Sequence, residues 1–181
     1  MKNKWLKPVC IGFVLLLTGI QINSCFDSFY QSPPSTQSGV FPFHFVYELD
    51  GIRFDIKDAV VCNYTGVEGL LHTRGWTTYL ESGMDDTTIL QDENVVSVLV
   101  PERINTTIRV FLDYGSGEFY MGDPNAKSAI HAKPHICYIE VYNTTEYKHT
   151  EDTPLTTEQA EKYFGIKIIK FEFSEPIKNK F

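Results

Sequence analysis

Two histidines in the stretch SAIHAKPH, His131 and His135, have the i, i+4 spacing that sets two imidazoles on one face of a helix and suits a metal ion. Pro134 breaks any such helix. Asp113, Glu118 and Asp123 lie nearby in sequence and would complete a mixed histidine and carboxylate site in the loops. Two loop histidines without a third defined ligand read as polar surface residues, so no metal and no cofactor is expected. Ser116 in DYGSGEF is flanked directly by Gly115 and Gly117, which misses the G-x-S-x-G spacing of a nucleophile elbow; the segment reads as a hairpin turn that opens no helix. Glycoside hydrolysis needs two carboxylates at a fixed separation, and 23 acidic residues supply pairs by chance, so no catalytic residue is assigned. The stretches GMDDTT and GDPN read as turns.

Cys10 and Cys25 belong to a different pattern. Lys2, Lys4 and Lys7 precede an almost unbroken apolar run from Val9 to Ile20, followed by polar Gln21 and Asn23 and then Ser24-Cys25, the layout of a secretory signal over residues 1–24. Ile22-Asn23-Ser24-Cys25 resembles a bacterial lipobox, with an aliphatic residue three places before the cysteine and a small one directly before it. Asn23 stands where a small residue is commoner. The resemblance implies that Cys25 is the lipidated first residue of the mature protein, a palmitate-type membrane anchor on the extracytoplasmic face of the cell membrane. Counted from Trp5 to Ile22, the apolar stretch nears the lower limit of a span of about 20 residues, so an uncleaved signal anchor is the alternative. Residues 25–41, rich in Ser, Pro and Gln, read as a flexible spacer. Three N-x-Thr sequons at Asn63, Asn105 and Asn143 carry no weight beside a bacterial-type lipobox.

Residues 42–181 must position whatever chemistry remains, and they read as a single β-rich domain, an antiparallel sandwich or barrel. Short runs of Val, Ile, Thr, Tyr and Phe alternate with Gly, Asp, Asn and Pro. Asp50-Gly51 should join Phe43 to Leu49 and Ile52 to Ile56 in a tight hairpin. Further strands are expected at Ala59 to Tyr64, Trp76 to Glu81, Thr87 to Gln91, Val95 to Val100, Thr106 to Asp113, Glu118 to Met121, His135 to Tyr142 and Ile166 to Phe173. In the last, Ile169, Phe171 and Phe173 should share the buried face. One short helix near the C-terminus follows Thr156, whose capping box is completed by Gln159 and whose stop is Gly165; Ala160, Tyr163 and Phe164 should pack on a sheet. Cys62 alternates with Val60 and Tyr64, and Cys137 with Ile139 and Val141, so both are expected to point inward, where a disulfide between them is open.

The lipobox-like INSC, the strand pair YELDGIRFDIKDAVVCNY and the ending EKYFGIKIIKFEFSEPI resemble small lipoproteins of Gram-positive bacteria. That group has no assigned activity, so the resemblance implies location and form and no catalytic residue. Without Lys2, Lys4 and Lys7, 13 of the 16 basic residues remain against 23 acidic ones, a formal charge of −10. Such a surface repels a phosphate backbone, so no nucleic acid is expected, and it favours a cationic protein or an envelope polymer as partner. The sequence therefore points to a membrane-tethered, non-catalytic binding module. The alternatives are an envelope glycan hydrolase with paired carboxylates and an inhibitor or immunity lipoprotein directed at a cationic protein.

Overall fold

Asp50 and Gly51 have positive φ, 53° and 77°, and fold strand β1 (Ser38–Leu49) back onto β2 (Ile52–Glu68) with Leu49 opposite Ile52. That is the hairpin expected of an Asp-Gly pair, because both central positions of this turn lie in the left-handed region. The computed structural model describes residues 32–68, 73–128, 131–143 and 148–181. The expected signal peptide, Cys25 and the expected spacer as far as residue 31 lie outside the described residues.

β1 starts at Ser38, inside the stretch read as spacer. Ser38 and Gly39 have little strand preference of their own. Phe41 supplies the drive: it is buried and stacks on Tyr120 with ring centroids 4.7 Å apart. Pro42 is tolerated within the strand because its carbonyl faces the edge beyond the last paired residue of β8 (Lys167–Phe173), where Ser174 donates its hydroxyl to it at 2.8 Å. The ring nitrogen faces the same edge, so no ladder bond is lost. Just upstream, Asn179 accepts from the Ser35 hydroxyl at 2.8 Å and the Thr36 amide at 2.9 Å, and donates to the Thr36 carbonyl at 2.8 Å. The N-terminal arm and the C-terminal tail are thereby clasped together.

β2 is one strand of 17 residues where two were expected. The polar pair Lys57-Asp58 does not end it, since His44 and Phe43 of β1 lie opposite and take up the backbone groups. Its second half pairs with β3 (Thr73–Leu80). The first sheet runs β3-β2-β1-β8. The second contains β4 (Thr88–Val95), β5 (Thr106–Asp113), β6 (His135–Asn143) and β7 (Lys148–Leu155) in that order, and every pairing in both sheets is antiparallel. The two four-stranded sheets form a sandwich, not a closed barrel. Phe43, Phe45, Val60, Cys62 and Leu80 of the first share one core with Ile108, Val110, Leu112, Ile136 and Tyr138 of the second.

Several elements depart from the sequence reading. Val95 ends β4, and the next residues form a loop closed by Ser97 on the Arg103 carbonyl and Arg103 on the Val100 carbonyl, both at 2.9 Å. The segment expected as a strand from Glu118 to Met121 is instead the helical turn α1 (Gly117–Tyr120). β7 was not foreseen, because KHTEDTPL carries no apolar alternation; it is an edge strand exposed over most of its length. In β8 a register shift opposite Val46 and Tyr47 turns Ile169 outward, 42% exposed, while Ile168, Phe171 and Phe173 pack on the core.

The C-terminal helix α2 (Thr157–Phe164) forms as expected. The Thr156 hydroxyl accepts from the Gln159 amide at 3.2 Å, Gln159 Oε1 accepts from the Thr156 amide at 2.9 Å, and Gly165 closes the helix at φ 65°. Ala160 and Phe164 are buried, and the Phe164 ring lies 5.3 Å from that of Tyr138. The helix covers part of the second sheet's inner face.

Candidate functional site

Inward and outward residues of the second sheet are set by β5, where Thr106, Ile108, Val110 and Leu112 are buried and the residues between them are half-exposed. Asp113 therefore points outward, and its partner across the ladder is His135. Two residues on, Cys137 shares the outer face with His135. Its alternation with Ile139 and Val141 holds, but the inner face belongs to Ile136 and Tyr138. Both faces of HICYIEVY are apolar, which is why parity alone misassigns them. Glu140 settles the register: this carboxylate lies on the inner side because Arg103 reaches it there at 3.4 Å. Cys62 belongs to the core between the sheets, so the two thiols occupy different faces, and both are free and buried.

The excursion from β5 to β6 returns over the outer face and brings His131 to the same point. His131, His135 and Cys137 each bring a donor atom within 4.8 Å of the others, and His131 Nδ1 and His135 Nε2 are 3.2 Å apart. Asp113 Oδ2 is 3.4 Å from His131 Nδ1 and 3.9 Å from His135 Nε2. Each ring uses its other nitrogen elsewhere. His135 Nδ1 donates to the Lys133 carbonyl at 2.8 Å, and His131 Nε2 lies 3.3 Å from Asp152 Oδ2. Burial, assisted by the negative charges of Asp113 and Asp152, pushes the Cys137 thiol up to about 11. The thiol is 1% exposed, whereas the His131 side chain keeps 33% of its surface in solvent. Open hollows of about 340 Å³, bordered by His131, Ser116 and Glu118, and about 310 Å³, bordered by Asp113 and Arg109, flank the cluster.

The remaining candidates take structural roles. Ser116 does open a helix: its Oγ accepts from the Phe119 amide at 3.3 Å and caps α1. Gly117 follows because a Cβ there would meet Trp76 Cβ at 2.5 Å, an approach only glycine permits. Glu118 lies in the first turn of α1. Asp123 is buried, with its carboxylate accepting from Arg74 Nη1 at 3.2 Å, Trp76 Nε1 at 3.1 Å and the Asn125 amide at 3.0 Å. The last bond is the turn signalled by GDPN; the ion pair with Arg74 had no signal, since 49 residues separate the partners. The Arg74 Nε also donates to the Ser32 carbonyl at 3.1 Å, and its guanidinium lies 4.2 Å from the Phe181 ring centre.

Two further features bear on function. A broad trough of about 620 Å³ is lined by His44, Lys57, Asp58, Glu81 and Glu172 among others. Asp58 there is committed to the chain, accepting from the Ala59 amide at 2.7 Å and the Ser82 amide at 3.2 Å. On and beside the β4 edge, Asp85, Asp86, Asp92, Glu93 and Glu102 are exposed, and no lysine or arginine occurs from residue 75 to residue 102; Arg109 of β5 lies opposite Gln91 and borders a hollow with Asp85 and Asp86. Val96, Val98 and Ile104 beside this edge are 54%, 37% and 64% exposed. Comparison of the chain with protein-family models, curated proteins and solved structures found no match. Among the described residues no helix is long and apolar enough to cross a membrane.

Proposed function

We propose that the protein is a lipid-anchored binding module of the cell surface that captures a cationic protein along the acidic β4 edge. The observation that carries this reading is the coincidence of three properties in one place: an end strand, five exposed acids on and beside it that outnumber the neighbouring base, Arg109, and three exposed aliphatic side chains. Like charge keeps such an edge from pairing with another copy of itself. Opposite charge steers a basic partner to it, and Val96, Val98 and Ile104 offer the apolar contact that holds the partner once it has arrived. The anchor rests on the order of basic leader, apolar run, Cys25 and polar spacer. Mass spectrometry of the native protein tests it directly, with a lipidated N-terminal Cys25 expected and an unprocessed Met1 counting against it.

Binding is tested by affinity capture from envelope extract with the full-length protein in nanodiscs. A basic protein should be retained at low salt and released as the screening length shortens from about 10 Å at 0.1 M to about 3 Å at 1 M. The double substitution Asp92→Asn, Glu93→Gln should weaken capture mainly by slowing association. Capture indifferent to salt and to this substitution would remove the acidic edge from the account. Steady hydrolysis of cell-wall glycan that stops on changing a single Asp or Glu would replace a binding module with a hydrolase.

A further inference from the structure

The geometry points to a zinc(II) site on the outer face of the second sheet, with His131 Nδ1, His135 Nε2, Cys137 Sγ and Asp113 Oδ2 as its four ligands. The hydrogen-bond pattern of the two rings supports this first. A carbonyl oxygen can only accept, so the proton of His135 sits on Nδ1, facing Lys133, and the lone pair of Nε2 faces His131. His131 faces a carboxylate at each ring nitrogen, Asp152 Oδ2 at 3.3 Å from Nε2 and Asp113 Oδ2 at 3.4 Å from Nδ1, so Nδ1 either donates to His135 Nε2 or binds an ion there. Two ring nitrogens 3.2 Å apart, with a carboxylate oxygen 3.4 and 3.9 Å away and a cysteine sulfur close by, form an electron-rich convergence suited to a cation.

A proton on His131 Nδ1 would serve one pair of these atoms. A tetrahedral ion serves all four. With zinc–nitrogen bonds of 2.0–2.1 Å and a zinc–sulfur bond near 2.3 Å, two nitrogens of a tetrahedral site stand about 3.3 Å apart and a nitrogen and the sulfur about 3.6 Å apart. The nitrogen–nitrogen and nearer nitrogen–oxygen separations already match, and the three nitrogen and sulfur donors are within 4.8 Å, so side-chain rotation of under about 1.5 Å brings those three to tetrahedral spacing, and Asp113 turns to take the fourth position. Two imidazoles, a thiolate and a carboxylate suit a borderline-soft ion, and the oxygen-seeking calcium and magnesium are disfavoured. Both imidazoles already carry the outer acceptor, Lys133 carbonyl or Asp152 carboxylate, that metal-bound histidines use to fix their orientation. The ion would pin the returning chain at His131 to strands β5 and β6. This inference does not depend on the proposed anchor or partner.

The test uses the full chain, purified without an affinity tag in detergent and stripped with chelator, then titrated with zinc(II) and, separately, cobalt(II). Zinc should bind at one ion per chain, and cobalt should give the intense visible bands of a tetrahedral site together with thiolate-to-cobalt charge transfer in the near ultraviolet. Cys137→Ser should abolish the charge-transfer band and lower zinc affinity by more than about 100-fold, while Asp152→Asn should lower it about 10-fold and keep the tetrahedral spectrum. His131→Gln alters a partly exposed side chain and tests the site if Cys137→Ser folds poorly by circular dichroism; it too should cost more than about 100-fold. Cys62→Ala should leave the spectrum unchanged. Absence of a one-to-one complex, an octahedral cobalt spectrum, or zinc affinity unaltered by both Cys137→Ser and His131→Gln would each overturn the assignment.

Discussion

Replacing Asp123 with alanine should be among the most damaging single changes to this domain. The side chain has no exposed surface, and the guanidinium it faces on Arg74 is only 8% exposed. Alanine removes three hydrogen bonds and leaves the Arg74 charge buried with one neutral acceptor, the Ser32 carbonyl, and the face of Phe181. Breaking a buried ion pair from one side costs about 3–5 kcal/mol, mostly because the surviving charge is stranded. For a domain of this size that corresponds to a fall of roughly 10 °C in melting temperature. Asp123→Asn keeps an acceptor for Trp76 or Asn125 and should lose less. The assay is equilibrium urea unfolding of residues 32–181, followed through Trp76, whose indole N–H loses its acceptor. Adding Arg74→Met to Asp123→Ala should recover part of the loss, since no charge then remains to be buried; a coupling of about 2 kcal/mol is expected. A cost below about 1 kcal/mol for Asp123→Ala, or strict additivity with Arg74→Met, would refute the stranded-charge argument.

A fragment of residues 32–181 should fold alone, whereas one beginning at Pro42 should be less stable by at least about 3 kcal/mol because it lacks Phe41 as well as the Ser35 and Thr36 clasp; equal urea midpoints would contradict the assignment of these residues to the domain. Burial pushes the Cys62 thiol from 9.0 to about 12. The thiol is neutral when protonated and its folded value lies above the unfolded one, so its contribution is complete below about pH 9 and is lost progressively as pH rises towards 12. Cys62→Ala should flatten that alkaline loss in stability-versus-pH measurements, and an unchanged slope would show that other groups cause it. Arg103→Met should lower the melting temperature, because it strands the buried Glu140 carboxylate and removes the bidentate contact to Glu151 at 2.8 and 3.1 Å; a thermal shift within error would argue against it. Phe171→Asp should prevent folding while Ile169→Asp is tolerated, a contrast visible by circular dichroism and reversed if β8 has no register shift.

Elements whose signals are local were legible in the sequence. The Asp50-Gly51 turn, the capping box at Thr156 and Gln159, and the alternating Thr106–Asp113 strand each depend on neighbours a few residues away. α1 was hidden because Phe119 and Tyr120 are strand-prone, while its causes, the Ser116 cap and the close packing of Gly117 on Trp76, appear only in three dimensions. β7 was hidden because an edge strand needs no apolar alternation when its partner supplies the pairing. His131, His135 and Asp113 were visible as candidates, but Cys137 was turned into the core by a parity argument that HICYIEVY cannot decide. The H-x-C spacing of His135 and Cys137 was the available clue, since residues two apart on a strand share a face. The ladder pairing of Asp113 with His135 and the burial of Glu140 show which face that is.

The clasp between Asn179 and the Ser35–Thr36 backbone brings the entry and the exit of the domain to one corner. Strand order along the chain is then a matter of wiring, separable from the pairings that hold the sandwich. A short bridge from Phe181 to Ser32, with new ends cut at the Asp50-Gly51 turn, would yield a circular permutant that keeps every ladder of both sheets. By the same reasoning the domain is a cassette that a host protein can carry within a surface loop, threading it in and out through a single opening.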